Sequence, residues 1–313
     1  KITGQPERTK FVALKKGYHG THFGGASVNG NANFRRNYEP LLPGVFHLAA
    51  PYSYRNPFNT SDPAEIAQAI ARQFEDEIAF QGADTIAAMI MEPVLGSGGV
   101  IVPHESFMPL MRAICDKHGI LLIADEVITA FGRTGAWTGS RFWGVKPDFM
   151  CTAKAISNGY FPFGAVMISE KVATAFETSK GPIGSIGHGY TYSGHPVGAA
   201  AALATLKETK RLNVAANAGE RGAELLKGLQ GLKDKHELVG DVRGLGLMCA
   251  LELVSDRKSK AAAAKDVVQK VFDTAYEEGV MIRTSGANVI ISPPLVVTGA
   301  DVARIVSALD AGL

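Results

Sequence analysis

Asp125 and Lys154 each close a short apolar run, and their residue types suit Schiff-base chemistry on a bound cofactor. Lys154 lies among small residues, Thr152-Ala153-Lys154-Ala155-Ile156-Ser157-Asn158-Gly159. Such a setting strips water from the amine, lowers its pKa and makes it a nucleophile. Asp125 and Glu126 end the run Gly-Ile-Leu-Leu-Ile-Ala-Asp-Glu. Ligands of open α/β sheets sit at the carboxyl ends of strands, so a carboxylate there can pair with a cationic ring nitrogen. Plainer readings exist for both residues. Asp125 can cap the next helical turn, and Lys154 can lay its stem along apolar surface with its amine in water. Under a parallel topology both residues reach one sheet edge, which favours the chemical reading.

Other familiar sites are absent from the sequence. An ATPase-type acid needs a GxxxxGK[ST] loop, and none exists. His104-Glu105 is not the start of HExxH, because the fifth residue is Met108. Gly244-Leu245-Gly246 lacks the third glycine of a dinucleotide loop and precedes a strand, so it reads as packing glycine. Ser97, Ser185 and Ser193 lie in no GxSxG elbow, and His188 and His195 lack the cysteines or carboxylates of a zinc shell. The two histidines read as loop residues, and no metal is expected.

The elements that must carry the pair follow from hydrophobic periodicity. Lys10–Leu14 is a short apolar strand, and residues 17–30 form a glycine-rich loop of the length usually reserved for function. Residues 62–83 read as an amphipathic helix opened by Asp62-Pro63. Apolar runs at 85–93, 119–126, 147–152 and 164–169 read as buried strands, with a helix at 106–118 closed by Gly119. Strand and helix alternating in this way, with strands apolar on both faces, predict a mostly parallel α/β sheet. An Ala-rich helix at 196–210 follows. Beyond it the texture changes to a polar helix at 213–232, a strand pair at 241–254, a helix at 261–278 and a short strand at 289–291. This predicts a large domain over 1–212 and a smaller α+β domain over 213–313.

The chain of 313 residues is long enough for about two domains of ~150 residues. Lys+Arg 32 against Asp+Glu 30 leaves a formal net charge of +2, too small for nucleic-acid binding through a basic surface. The longest apolar helical run, near Val197 to Leu206, is far short of a membrane span of about 20 residues. Three scattered cysteines, Cys115, Cys151 and Cys249, read as reduced thiols of a cytoplasmic protein. The first residues, Lys-Ile-Thr-Gly-Gln-Pro, read as a start in mid-domain.

In order along the chain, these stretches resemble class III aminotransferases: Gly17-Tyr18-His19-Gly20, Glu92-Pro93-Val94, the strand ending in Asp125-Glu126-Val127, Phe131-Gly132-Arg133-Thr134-Gly135, Pro147-Asp148, the segment from Lys154 to Gly159, the run from His188 to Pro196, and Gly244 to Met248. Within that class the chain looks most like ω-transaminases acting between amines, β-alanine or taurine and pyruvate. The resemblance implies fold type I of the pyridoxal 5'-phosphate (PLP) enzymes. That fold has a mostly parallel central sheet with helices on both faces and a smaller C-terminal α+β domain.

It also implies roles. Lys154 matches the lysine joined to PLP as a Schiff base, and Asp125 the acid on the pyridine nitrogen. Val127 matches the residue packed on one face of the ring and Tyr18 the aromatic on the other, beside His19. Thr191 matches the residue that reaches the phosphate from the partner subunit of a homodimer or higher homo-oligomer. Arg283 matches the mobile arginine that grips a substrate carboxylate, with Tyr18 also lining the substrate site. No role is assigned to Glu92. The implied reaction moves an amino group from an amine or ω-amino acid to a keto acid such as pyruvate. The family carries a further stretch before residue 1, including a phosphate-cradling loop, and Ala287-Asn288 stands where many relatives have Gly-Asp. A non-catalytic or apo dimerising fragment, and an aminomutase or decarboxylase on the same fold, are the alternatives.

Overall fold

The computed structural model describes residues 1–179 and 186–313. The first sheet contains β1 (Lys10–Leu14), β2 (Val45–Leu48), β3 (Ile86–Met91), β4 (Leu121–Asp125), β5 (Phe149–Thr152) and β6 (Ala165–Ile168), in the order β2-β1-β3-β4-β5-β6. Neighbours pair in parallel except β6, which runs antiparallel to β5. The carboxyl ends of β1, β3, β4 and β5 therefore share one rim.

The period-2 pattern of these strands sorts their side chains into two layers. Val12, Leu14, Met89, Met91, Leu122 and Ala124 are buried in one core. Covering them are helix α2 (Pro63–Gln81), through Ile66, Ile70, Phe74 and Ile78, and helix α3 (Phe107–His118), through Phe107, Met111 and Ile114. Each fully buried aliphatic or aromatic side chain here contributes about 1.5–3 kcal/mol. Asp62 caps α2 by accepting from the amides of Ala64 and Glu65, and Gly119 ends α3 in the left-handed region at φ +64, as the sequence pattern requires. The opposite layer, Phe11, Val45, Ile90 and Ile123, forms a cavity wall. A short helix, α1 (Phe23–Val28), contacts β1 and β2 and interrupts the stretch read as continuous loop. Its His22 side chain accepts from the Gly25 amide.

The chain continues through short α4 (Gly139–Phe142), α5 (Glu170–Glu177), long α6 (Pro196–Arg211) and α7 (Val214–Lys235). His195, read as a loop histidine, caps α6 by accepting from the Val197 amide. The second sheet is antiparallel, with order β10-β11-β8-β7. It contains β7 (Val239–Leu245), β8 (Met248–Asp256), β10 (Arg283–Ser285) and β11 (Asn288–Ile291), with β9 (Ala261–Ala262) paired to β8. Helices α8 (Lys265–Glu277) and α9 (Gly299–Gly312) complete its core with α7. The helix expected from residue 261 begins at Lys265, because Ala261 and Ala262 bond to β8 first. Gly246 turns the β7–β8 hairpin at φ +56, packed so tightly on Gly222 that a Cβ on the latter would overlap its carbonyl. That is the packing role its sequence suggested.

Candidate active site

The rim of the first sheet assembles the site. Asp125 is the last residue of β4 and is 7% exposed. In the parallel register it lies opposite Cys151 of β5, and three residues later the chain reaches Lys154. Lys154 opens a 3-10 turn with its backbone in the left-handed region, φ +46. A non-glycine residue held there is strained, and such strain concentrates at functional sites. The side chain is accessible, at the junction of two cavities, and lines both. Burial depresses its amine pKa most, opposed by the charges of Asp125 and Glu92 and assisted by that of Arg283. The structure thus brings Lys154 and Asp125 into one crevice.

The larger cavity, about 850 Å³, is lined by Tyr18, His19, Asp125, Val127 and Lys154 together with the open sheet face. Tyr18 and His19 follow β1 on the same rim. His19 donates its backbone N–H to Asn29 Oδ1. Its Nδ1 lies 2.8 Å from Asp125 Oδ2, while its Nε2 is buried without a hydrogen-bond partner. The Tyr18 ring meets Phe34 edge-on at 4.9 Å. Val127 donates its N–H to Asp125 Oδ1 at 3.1 Å, so the capping reading of Asp125 also holds.

Glu92, at the end of β3, completes the floor. It is 4% exposed, and its two oxygens accept from the amides of Tyr18 (2.9 Å) and Gly96 (2.8 Å). Burial pushes its carboxyl up to about 7, partly offset by His19 and reinforced by the charge of Asp125. The neighbouring Glu126 faces away from the site and accepts from the amides of Gly139 and Ser140, at 2.8 and 2.6 Å, at the start of α4. Adjacent acids at one strand end thus separate into a cavity residue and a helix anchor.

The smaller cavity, about 620 Å³, is bounded by Lys154, Val127, Arg133 and Arg283, and among the described residues no Asp or Glu lines it. Arg283 starts β10 and is exposed. Arg133 donates to the carbonyls of Leu247 and Pro293, and burial lowers its pKa to about 10. Sequence reasoning gave Arg133 no role. Its Phe-Gly-Arg-Thr-Gly setting does not reveal that the guanidinium spans to the second sheet. Thr191 is exposed between Tyr190 and Tyr192 and lines neither cavity. Among the described residues there is no cluster of His, Cys, Asp or Glu that could hold a metal ion.

Comparison with known proteins agrees with this architecture. The sequence model of the family described as aminotransferase class-III matches residues 1–313. An omega-aminotransferase of Caulobacter vibrioides is 39% identical over 309 residues, covering 98% of this chain and 69% of that protein. A probable gamma-aminobutyrate transaminase 3, mitochondrial, of Oryza sativa subsp. indica is 36% identical over 306 residues, 97% of this chain and 60% of its own length. Thus the chain spans 60% to 69% of the length of these curated relatives. An amine transaminase from an uncultivated Pseudomonas species, solved in its PLP-bound form, superposes with a TM-score of 0.98 at 47% identity. The match covers 99% of this chain and 70% of that one.

Proposed function

The chain belongs to the aminotransferase class-III family, and on that footing we propose that it moves an amino group from an amine or ω-amino acid to a keto acid such as pyruvate. The observation that carries this reading is the meeting of Lys154 and Asp125 in one cavity that Tyr18 and Val127 also line. These groups fit the ring of PLP: an amine of lowered pKa, a buried carboxylate, an aromatic face and an aliphatic one. When bound, the cofactor supplies an electron-withdrawing ring that stabilises negative charge at the substrate carbon.

The chain's own residues do the rest. Asp125 would hold the ring nitrogen protonated, and the His19 contact fixes the orientation of its carboxylate. Tyr18 and Val127 would flank the ring. Lys154 Nζ would hold the cofactor and, as a free amine, would carry the proton at the substrate carbon. Arg283 offers a two-pronged guanidinium to a substrate carboxylate, a geometry lysine cannot supply.

We assign the phosphate contact of Thr191 to a second copy of the chain in a homodimer. Its neighbours Tyr190 and Tyr192 are 77% and 79% exposed, an apolar surface suited to a partner. We put the domain boundary at 212–213; the left-handed turn of Asn213 between α6 and α7 supports it. No helix among the described residues is long and apolar enough to cross a membrane. The unpaired Cys115, Cys151 and Cys249 support a reducing, cytoplasmic setting.

The test is to add PLP, an amine donor and pyruvate and to follow alanine. Borohydride reduction and peptide mapping then locate the cofactor. Alanine formation with label on Lys154 is expected. Label elsewhere would remove Lys154 from the chemistry. PLP uptake with carbon dioxide release or with isomerised product would favour the decarboxylase or aminomutase, and no uptake would favour the non-catalytic fragment.

A further inference from the structure

Arg243, in β7, is half-buried at the seam between the two sheets and gathers groups from both sides. Its Nε and Nη2 donate to the Gly99 carbonyl at 2.9 and 2.6 Å, and Nη2 also donates to Asn288 Oδ1. Nη1 pairs with Asp241 at 2.7 Å and lies 3.7 Å from Glu252. The guanidinium lies over the ring of Tyr52, 4.6 Å from its centroid. Tyr52 and Arg55 bond to the same Glu252 from the first-sheet side. The two guanidinium groups of Arg243 and Arg55 thus face the two carboxylates of Asp241 and Glu252, with Lys16 on the same Tyr52 ring.

The two neutral partners of Arg243 lead to the site. Gly99 belongs to the loop whose Gly96 amide is held by Glu92. Asn288 starts β11, and its Nδ2 donates to the Ser285 carbonyl at 3.0 Å, closing the hairpin whose first residue is Arg283. The fit is tight, because a Cβ on Gly99 would stand 3.0 Å from Arg243 Nη2 and 3.1 Å from Asn288. Val94, Val100, Met248, Ala250 and Ile290 pack beside it as a small core across the same seam.

We propose that Arg243 and Asn288 are positioning residues. They tie the Arg283 hairpin to the Glu92-anchored loop, and so fix how far a substrate carboxylate stands from Lys154. This rests on the reading that Arg283 receives that carboxylate. The tether sets the length of ω-amino acid accepted, and amines without a carboxylate do not use it.

The experiment compares Asn288→Ala, Arg243→Lys and Arg283→Ala with the unaltered chain. Amide hydrogen exchange is measured with and without PLP, and the first half-reaction is followed with β-alanine and with 1-phenylethylamine. In Asn288→Ala and Arg243→Lys, exchange at residues 283–288 should rise about tenfold, as expected for one lost hydrogen bond. Exchange in the β1–β5 strands should stay unchanged, KM for β-alanine should rise by a similar factor, and the rate with 1-phenylethylamine should change less than about twofold. Unchanged hairpin exchange in both variants would overturn the tether, and so would faster exchange spread over both sheets. If Arg283→Ala separates the two donors but Asn288→Ala and Arg243→Lys do not, the positioning role is wrong. If Arg283→Ala affects both donors alike, the carboxylate role of Arg283 fails, while the exchange data still decide the tether.

Discussion

His19 Nδ1 lies 2.8 Å from Asp125 Oδ2, joining the loop after β1 to the end of β4 on the cavity floor. A carboxylate gripped in this way, with the Val127 amide on its other oxygen, has little freedom to rotate. A fixed partner costs no reorganisation when charge develops on a bound ring, which makes it effective in catalysis.

Asp125→Asn keeps the shape of that contact and removes the negative charge. The expected result is a loss of about 10²-fold or more in kcat, the scale of losing one preorganised electrostatic partner. Stopped-flow half-reactions measure it, and unchanged rates would show that Asp125 is only a cap.

Lys154→Ala should abolish turnover while leaving the fold intact, because the left-handed turn at φ +46 gains nothing from a lysine side chain. Circular dichroism checks the fold. Turnover at the unaltered rate would mean that another group moves the proton.

Arg283→Ala should raise KM for β-alanine far more than KM for 1-phenylethylamine. Loss of a charge-assisted, forked contact corresponds to about 1.5–3 kcal/mol, or roughly ten- to hundredfold. Equal losses on both donors would make Arg283 structural.

Glu92 makes stability depend on pH. Its folded pKa, near 7, lies above the ordinary 4.5, so the folded chain holds the proton more tightly than the unfolded one. The stabilisation is complete below about 4.5 and is lost as pH rises to about 7, on the order of 3 kcal/mol in all. Urea unfolding at pH 5 and pH 8 should show this fall in the unaltered chain and a much flatter difference in Glu92→Gln. A parallel fall in both would assign the slope to other groups.

The strand that ends in Asp125 and the one that leads to Lys154 were legible in the sequence because each is a short apolar run with the polar residue at or just past its end. The start of α2 and the end of α3 were legible for a similarly local reason, since Asp62-Pro63 and Gly119 act on their own turns. Helix α1 was hidden by its glycines, which carry no periodicity, and it forms because it packs on β1 and β2. The role of Glu92 was also hidden, because the Tyr18 amide it holds is 74 positions away in the chain. The Arg243 seam depends on partners even further apart, with Gly99 at a separation of 144. Local patterns encode elements and their ends, whereas such contacts exist only once both sheets are in place.

The pairing of Asp125 with Cys151 fixes, by main-chain bonding, the acid beside the strand end three residues before Lys154. Ladder spacing, unlike side-chain packing, survives exchange of the residues around it. The walls of the crevice, Ile90 and Ile123 among them, are therefore open to redesign for bulkier amines with the acid and the amine left in place. By contrast, inserting or deleting one residue between Cys151 and Lys154 would misdirect the amine, however well the new walls fit.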